Sequence, residues 1–270
     1  MKDPSESNNP DRFNMLSGTE EAVNRWMQFE KSSRRYRHKS ACQELSRRRS
    51  CGEVVTLIED LYNKIDSNWM IRSYARLPSP KNWRLTHELK ITEGNKSKEK
   101  QLEKIIVELL GDDWSNQVPT ASGLTGPDDM KKASIDLVHR IRPACYELIE
   151  LKCDANTPLY AAIEILFYGL LYIHARDHQK EMQYSSPPRQ LLLADEIGLR
   201  VLAPEKHYRD YDLGWFEKRL SDGIGKFVGL RFKIDFKFTA FPGDFQWDTA
   251  RGREKLQAAM NGVTPAFPGR

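Results

Sequence analysis

Apolar residues along the chain follow two rhythms. Between residues 54 and 69, Val55, Leu57, Ile58, Leu61, Tyr62, Ile65 and Trp69 recur at the spacing that lines one face of a helix. Ala22, Val23, Trp26, Met27 and Phe29 predict a shorter helix starting at Thr19. Leu102, Ile105, Ile106, Leu109 and Leu110 predict another over residues 98–110, with Ser97 as its N-cap and Gly111 as its stop. Residues 158–176 are apolar nearly all round, which predicts a buried helix, capped by Asn156 or Thr157 with Pro158 at an early position. Leu213, Trp215, Phe216, Leu220 and Ile224 mark an amphipathic helix over residues 212–224.

The second rhythm is that of strands, expected near 116–122, 133–139, 146–152, 190–194 and 199–204. In residues 230–241, Leu230, Phe232, Ile234, Phe236 and Phe238 alternate with Arg231, Lys233, Asp235 and Lys237, a half-buried strand with a basic outer face. Residues 1–16 carry too few apolar groups to pack and are expected to be a disordered leader. Residues 17–80 read as a basic helical region ended by the Pro-rich segment after Leu77, residues 81–245 as the main domain, and residues 246–270 as a peripheral tail.

Composition narrows the class. With 39% hydrophobic and 30% charged residues over 270 positions, the chain can bury a sizeable core beneath a polar surface. The start is polar rather than signal-like, and the apolar stretch Leu159–Ile173 contains Glu164 and is short for a membrane span. Cytoplasmic residence is the expectation, and Cys42, Cys51, Cys145 and Cys153, which form no C-x-x-C pair, are expected to be free thiols. The net charge of +4 decides little, but positive charge is concentrated at Arg34, Arg35, Arg37 and Lys39 and again at Arg47, Arg48 and Arg49. Those side chains could contact phosphates, with Tyr36 available for stacking; a solvated helix face is the other reading.

The candidate chemistry sits in two strands that otherwise read as buried. Strand geometry projects Leu148, Glu150 and Lys152 to one face and Ile149 and Leu151 to the other, and Asp136 lies in the preceding strand. Buried charges are costly unless paired or metal-bound, although an isolated E-x-K also suits the polar face of an edge strand. On the apolar helix, Tyr160, Glu164 and Tyr168 share a face. His174 and His178, also one turn apart, could clasp a metal, but with no third ligand in view they are an incomplete set and a zinc site is not expected.

The order helix, three strands, helix, strand, with Asp136 on the second strand and Glu150-Leu151-Lys152 on the third, resembles the PD-(D/E)XK nuclease superfamily over the middle half of the chain. The resemblance implies an α/β (α+β) restriction-endonuclease-like core, a central mixed sheet flanked by helices, here with an N-terminal helical extension. It implies a Mg²⁺- or Mn²⁺-dependent phosphodiesterase, with Asp136, Glu150 and the Leu151 carbonyl holding the metal and Lys152 assisting the attacking water. Members often add a Glu from the first helix; Glu99 and Glu103 compete for that role, and on a helical wheel Glu99 lies nearer the centre of the apolar stripe. Glu164 and Tyr168 resemble the Q-x-x-x-Y signature of some branches, with Glu in place of the commoner Gln, which leaves a purely structural acid as the other reading. Pro127-Asp128 is a literal "PD", but a Gly/Pro loop is the wrong place for the essential Asp. The partner implied is nucleic acid, DNA by resemblance, with no membrane and with a homodimer as a convenient way to cut both strands. A catalytically silent binding or scaffolding module on the same fold, and a structural ion network in an unrelated domain, are the alternatives.

Overall fold

The computed structural model describes residues 14–28, 35–72, 77–87, 97–125, 134–153, 156–243, 245 and 253–268. Its centre is a six-stranded mixed sheet in the order β1 to β6: β1 (Trp114–Pro119), β2 (Ser134–Arg142), β3 (Cys145–Leu151), β4 (Glu196–Pro204), β5 (Lys233–Phe241) and β6 (Thr264–Pro265). The first three strands pair antiparallel, β3–β4 and β4–β5 pair parallel, and β6 adds antiparallel at the far edge. Antiparallel neighbours need only short turns, whereas each parallel pair needs a crossover, and helices supply it. α5 (Pro158–Asp177) joins β3 to β4, and α6 (Gly214–Val228) joins β4 to β5.

The sheet divides the core in two. On one face Leu148 of β3 and Val201 of β4 pack with α5, α6 and the N-terminal helices α1 (Thr19–Trp26), α2 (Lys39–Arg48) and α3 (Val54–Arg72). On the other, Leu137, Ile149, Leu151 and Leu202 pack with α4 (Lys98–Leu110) and α7 (Arg253–Asn261). The alternation of β3 therefore resolves as its period requires, Leu148 to one layer and Ile149 and Leu151 to the other. α4 begins at Ser97, whose hydroxyl accepts the Lys100 amide, and α5 at Thr157, whose hydroxyl accepts the Tyr160 amide, with Pro158 in the first turn. α5 is long and apolar enough to cross a membrane, yet it lies between the sheet and the N-terminal helices with nearly every residue buried.

Several expectations are corrected. Residues 190–194 are not a strand: Gln190–Leu193 form one 3₁₀ turn, in which Leu191 and Leu192 are buried and the Leu191 carbonyl accepts the Tyr172 hydroxyl. An apolar triplet signals burial without specifying period, so the fourth strand is instead Glu196–Pro204. β1 runs over 114–119 rather than 116–122, and β5 begins only at Lys233, leaving Leu230 fully exposed. The tail of residues 246–270 is not peripheral throughout: α7 seats Leu256, which has no exposed surface, in the second core. At the other end, residues 1–13 and Arg34 lie outside the described residues, while Met15 and Leu16 are buried against the first core. Among the described residues, α1, α2 and α3 share that core with α5 and α6.

Candidate active site

The antiparallel register of β2 and β3 sets Leu137 opposite Ile149, which brings Asp136 to the level of Glu150 at the end of β3. One Asp136 carboxylate oxygen accepts the Leu151 amide at 3.0 Å. Lys152, the first residue beyond β3, is held in line with it because its own amide donates to the Leu202 carbonyl of β4 at 2.9 Å. Its ammonium lies 2.5 Å from Glu150 Oε1 and 2.9 Å from Glu164 Oε2, and all three side chains are largely buried. Tyr160, one turn before Glu164 on α5, sets its ring 5.8 Å from the same ammonium. Tyr168, one turn after, is buried, and burial together with the charges of Glu150 and Asp136 pushes its phenol well above the usual range.

α4 closes the site from the other side. Glu99 Oε1 accepts the Cys153 amide at 3.1 Å, beside Lys152. Glu103 is the deeper of the two acids, 2% exposed, and its Oε2 accepts the Gln117 amide nitrogen at 2.7 Å. The expectation that Glu99 lies nearer the buried centre is thus reversed, because what α4 faces there is not only the apolar layer but also Gln117 of β1. Gln117 carries a positive φ of 49° in mid-strand, between Asn116 and Val118, which pair with β2 in the ordinary way. That kink lets its side chain bridge Glu103 and Lys100, the latter 3.4 Å away. In the sequence Gln117 stands out only as a half-buried strand residue; its backbone geometry has no local signature.

The electrostatics are those of too many acids around one base. Burial raises the Asp136 carboxyl to about 6 although Lys152 and the Leu151 amide act against it. Burial and the neighbouring Asp136 push Glu103 up to about 9. Glu150 is raised well above the usual range by burial and Asp136, with Lys152 opposing. Burial alone would lower Lys152, but Glu150, Glu164 and Asp136 outweigh it and hold the ammonium charged. Glu150 Oε2 is buried with no hydrogen-bond partner among the described residues. A buried orphan oxygen beside a second carboxylate suits a hard cation, which takes oxygen donors and offsets the excess negative charge. The donor set Asp136, Glu150 and Leu151 therefore fits Mg²⁺ or Mn²⁺.

The basic run is dispersed rather than gathered. The Arg37 guanidinium pairs with Glu20 and lies 5.3 Å from the Tyr160 ring, which itself stacks on Tyr36. Arg48 donates to the Met27 and Ser50 carbonyls, Arg49 pairs with Asp212, and Arg47 is exposed. Arg35 is half-buried in the short 3₁₀ turn before α2. Lys39, exposed, lies 3.9 Å from Asp210. Arg37 and Lys39 line a cleft of about 610 Å³ that also takes in Cys153, Thr157 at the start of α5, Lys206 and His207. Lys206 and His207 went unremarked in the sequence because they follow β4, far along the chain from the basic run. A second cleft of about 500 Å³, lined by Trp114, His139, Glu147 and Arg200 among others, contains none of the acids described above. Pro127-Asp128 lies outside the described residues.

His174 and His178 do acquire a third neighbour: Asp66 of α3 places Oδ1 3.2 Å from the Nε2 atom of each. The four cysteines are free. Comparisons of the chain with models of known protein families, with curated proteins and with solved structures find no match.

Proposed function

We propose that this chain is a metal-dependent phosphodiesterase of the PD-(D/E)XK type, with a restriction-endonuclease-like core, acting on nucleic acid and on DNA by preference. The observation that carries the reading is the group of buried Glu150 and Lys152 with half-buried Asp136 and Glu164, in which acids outnumber the base and Glu150 Oε2 lacks a partner among the described residues. Salt bridges kept only for structure have no use for the surplus, since each unpaired buried carboxylate is destabilising.

Asp136, Glu150 and the Leu151 carbonyl are the groups that would hold Mg²⁺ or Mn²⁺. When bound, such a cation lowers the pKa of a coordinated water and neutralises charge on the phosphoryl oxygens. Lys152, kept protonated by its acidic neighbours, orients the attacking water and offsets phosphate charge. Glu164 holds that ammonium in place from α5, with the Tyr160 ring 5.8 Å away on the same helix. Glu103, neutral near pH 7 because of burial and Asp136, adds no further charge to repel a phosphate. The cleft of Arg37, Lys39, Lys206, His207 and Asp210 reaches Cys153, next to Lys152, and its basic side chains would offer positive potential to a phosphate backbone beside the site. Two copies of the chain would supply one site per strand of a duplex, and cytoplasmic residence accords with four free thiols.

The test is cleavage of supercoiled plasmid, linear duplex, single-stranded DNA and RNA with Mg²⁺, Mn²⁺ or EDTA, wild type beside Glu150→Ala. Metal-dependent cutting by the wild type that the variant lacks is the expected result. Tight, salt-sensitive binding by both proteins without cutting would replace it with a binding module on the same fold.

A further inference from the structure

We propose a second metal site, separate from the acidic centre, formed by Asp66 of α3, His174 of α5 and His178 at the C-cap of α5, and suited to a transition-metal dication such as Zn²⁺. One donor atom from each side chain lies within 4.8 Å of the other two. Asp66 Oδ1 is 3.2 Å from both imidazole Nε2 atoms. Bonds of about 2.0–2.1 Å to zinc at tetrahedral angles separate adjacent ligand atoms by about 3.3 Å, so the gaps already match a tetrahedral edge. They are also longer than the ~2.7–2.9 Å usual for a charge-assisted hydrogen bond, and the two rings, 4.4 Å apart between centroids, converge on a single oxygen.

His174 has no exposed surface, and its Nδ1 is buried with no hydrogen-bond partner among the described residues. Its polar contact is therefore made through Nε2, toward Asp66. Trp69 meets its ring edge-on at 6.1 Å and Tyr62 tilts against it at 5.9 Å, which fixes the ring's direction. The nearby Asp177 is not a competing ligand: Arg231 grips both its oxygens at 2.7 Å, and the Tyr62 hydroxyl donates to it at 2.7 Å. Two imidazoles and one carboxylate suit zinc, cobalt, nickel or copper, whereas the all-oxygen centre at Asp136 and Glu150 suits magnesium or manganese. Asp66 and His178 keep partial contact with solvent, at 37% and 26% side-chain exposure, so water can complete the shell. His174 follows Glu164 by ten residues on α5, about 15 Å along the helix. A cation here ties α3 to α5 and so clamps the N-terminal helices onto the helix that carries Glu164 and Tyr168.

The full chain, stripped with chelator and dialysed, is titrated with ZnCl₂ by calorimetry and followed by thermal unfolding, beside Asp66→Asn, His178→Gln and, as a control, Glu150→Gln. With the acidic centre held by saturating Mg²⁺, one equivalent of zinc is expected to bind, with Tm rising by roughly 5–10 °C at a hundredfold excess over Kd. Asp66→Asn and His178→Gln are expected to lose that response, and Glu150→Gln to keep it. No stoichiometric binding by the wild type, binding that survives both α3 and α5 substitutions, or loss of binding in Glu150→Gln alone would overturn the proposal. Should either variant fail to fold, Co²⁺ added to the wild type decides. The intense visible bands of a four-coordinate imidazole site support the assignment, and the faint spectrum of six oxygen ligands refutes it.

Discussion

Asp136→Asn separates an acid kept for a cation from one kept for structure. Asparagine preserves the shape and can still accept the Leu151 amide, so the substitution removes charge and little else. An acid whose pKa rises from 3.8 to about 6 on folding carries a handicap of about 3 kcal/mol once ionised. Because Asp136 keeps partial contact with solvent, ~1–3 kcal/mol is the working range. The sign follows from proton uptake. Between pH 3.8 and about 6 the folded chain retains a proton on Asp136 that the unfolded chain has released, so wild-type stability falls as pH rises through that window. The handicap is absent below it and complete above it. In EDTA at pH 7.5 the variant is therefore expected to melt roughly 3–10 °C above the wild type, with the gap closing toward pH 4. Saturating Mg²⁺ should close or reverse the gap, since only the wild type gains from binding, by about 2.7 kcal/mol at a hundredfold excess over Kd. The assay is thermal unfolding across a pH series, with and without metal. A variant that is less stable than the wild type in EDTA at pH 7.5, with Mg²⁺ affecting neither protein, would refute the reasoning and leave Asp136 as part of a structural ion network.

Lys152→Met removes the base from three acids. Its side chain is 7% exposed, so Glu150 and Glu164 are left as uncompensated buried charges, and a loss of about 3–5 kcal/mol at pH 7.5 is expected from denaturant unfolding, along with loss of cleavage. A loss under ~1 kcal/mol would mean that water reaches the acids freely. Leu256→Ala tests the role of α7: a fully buried leucine in the second core should cost ~2–4 kcal/mol, whereas a peripheral residue would cost under about 0.5 kcal/mol.

What the sequence by itself determined is what local period and local chemistry encode. The 3.6-residue stripe and its cap fixed α4 over residues 98–110, and the period of two put Glu150 and Lys152 on one face of β3, opposite Ile149 and Leu151. The near-continuous apolar character of residues 158–176 likewise announced a helix buried on all sides. Tertiary structure decided whatever depends on a distant partner. His174 and His178 are legible as a pair one turn apart, but Asp66 precedes His174 by 108 residues, and only the packing of α3 on α5 brings it within 3.2 Å. Arg37, Arg49 and Arg48 of the basic run are matched by Glu20, Asp212 and the Met27 carbonyl, none of them predictable from a charge count. Glu103 rather than Glu99 became the buried acid because a kink at Gln117 offers it a donor. Residues 190–194 turned instead of extending because an apolar triplet specifies burial without direction. Periodicity is a property of one segment, so it survives in the sequence. The meeting of segments depends on how faces pack, and that is settled only when the whole chain has folded.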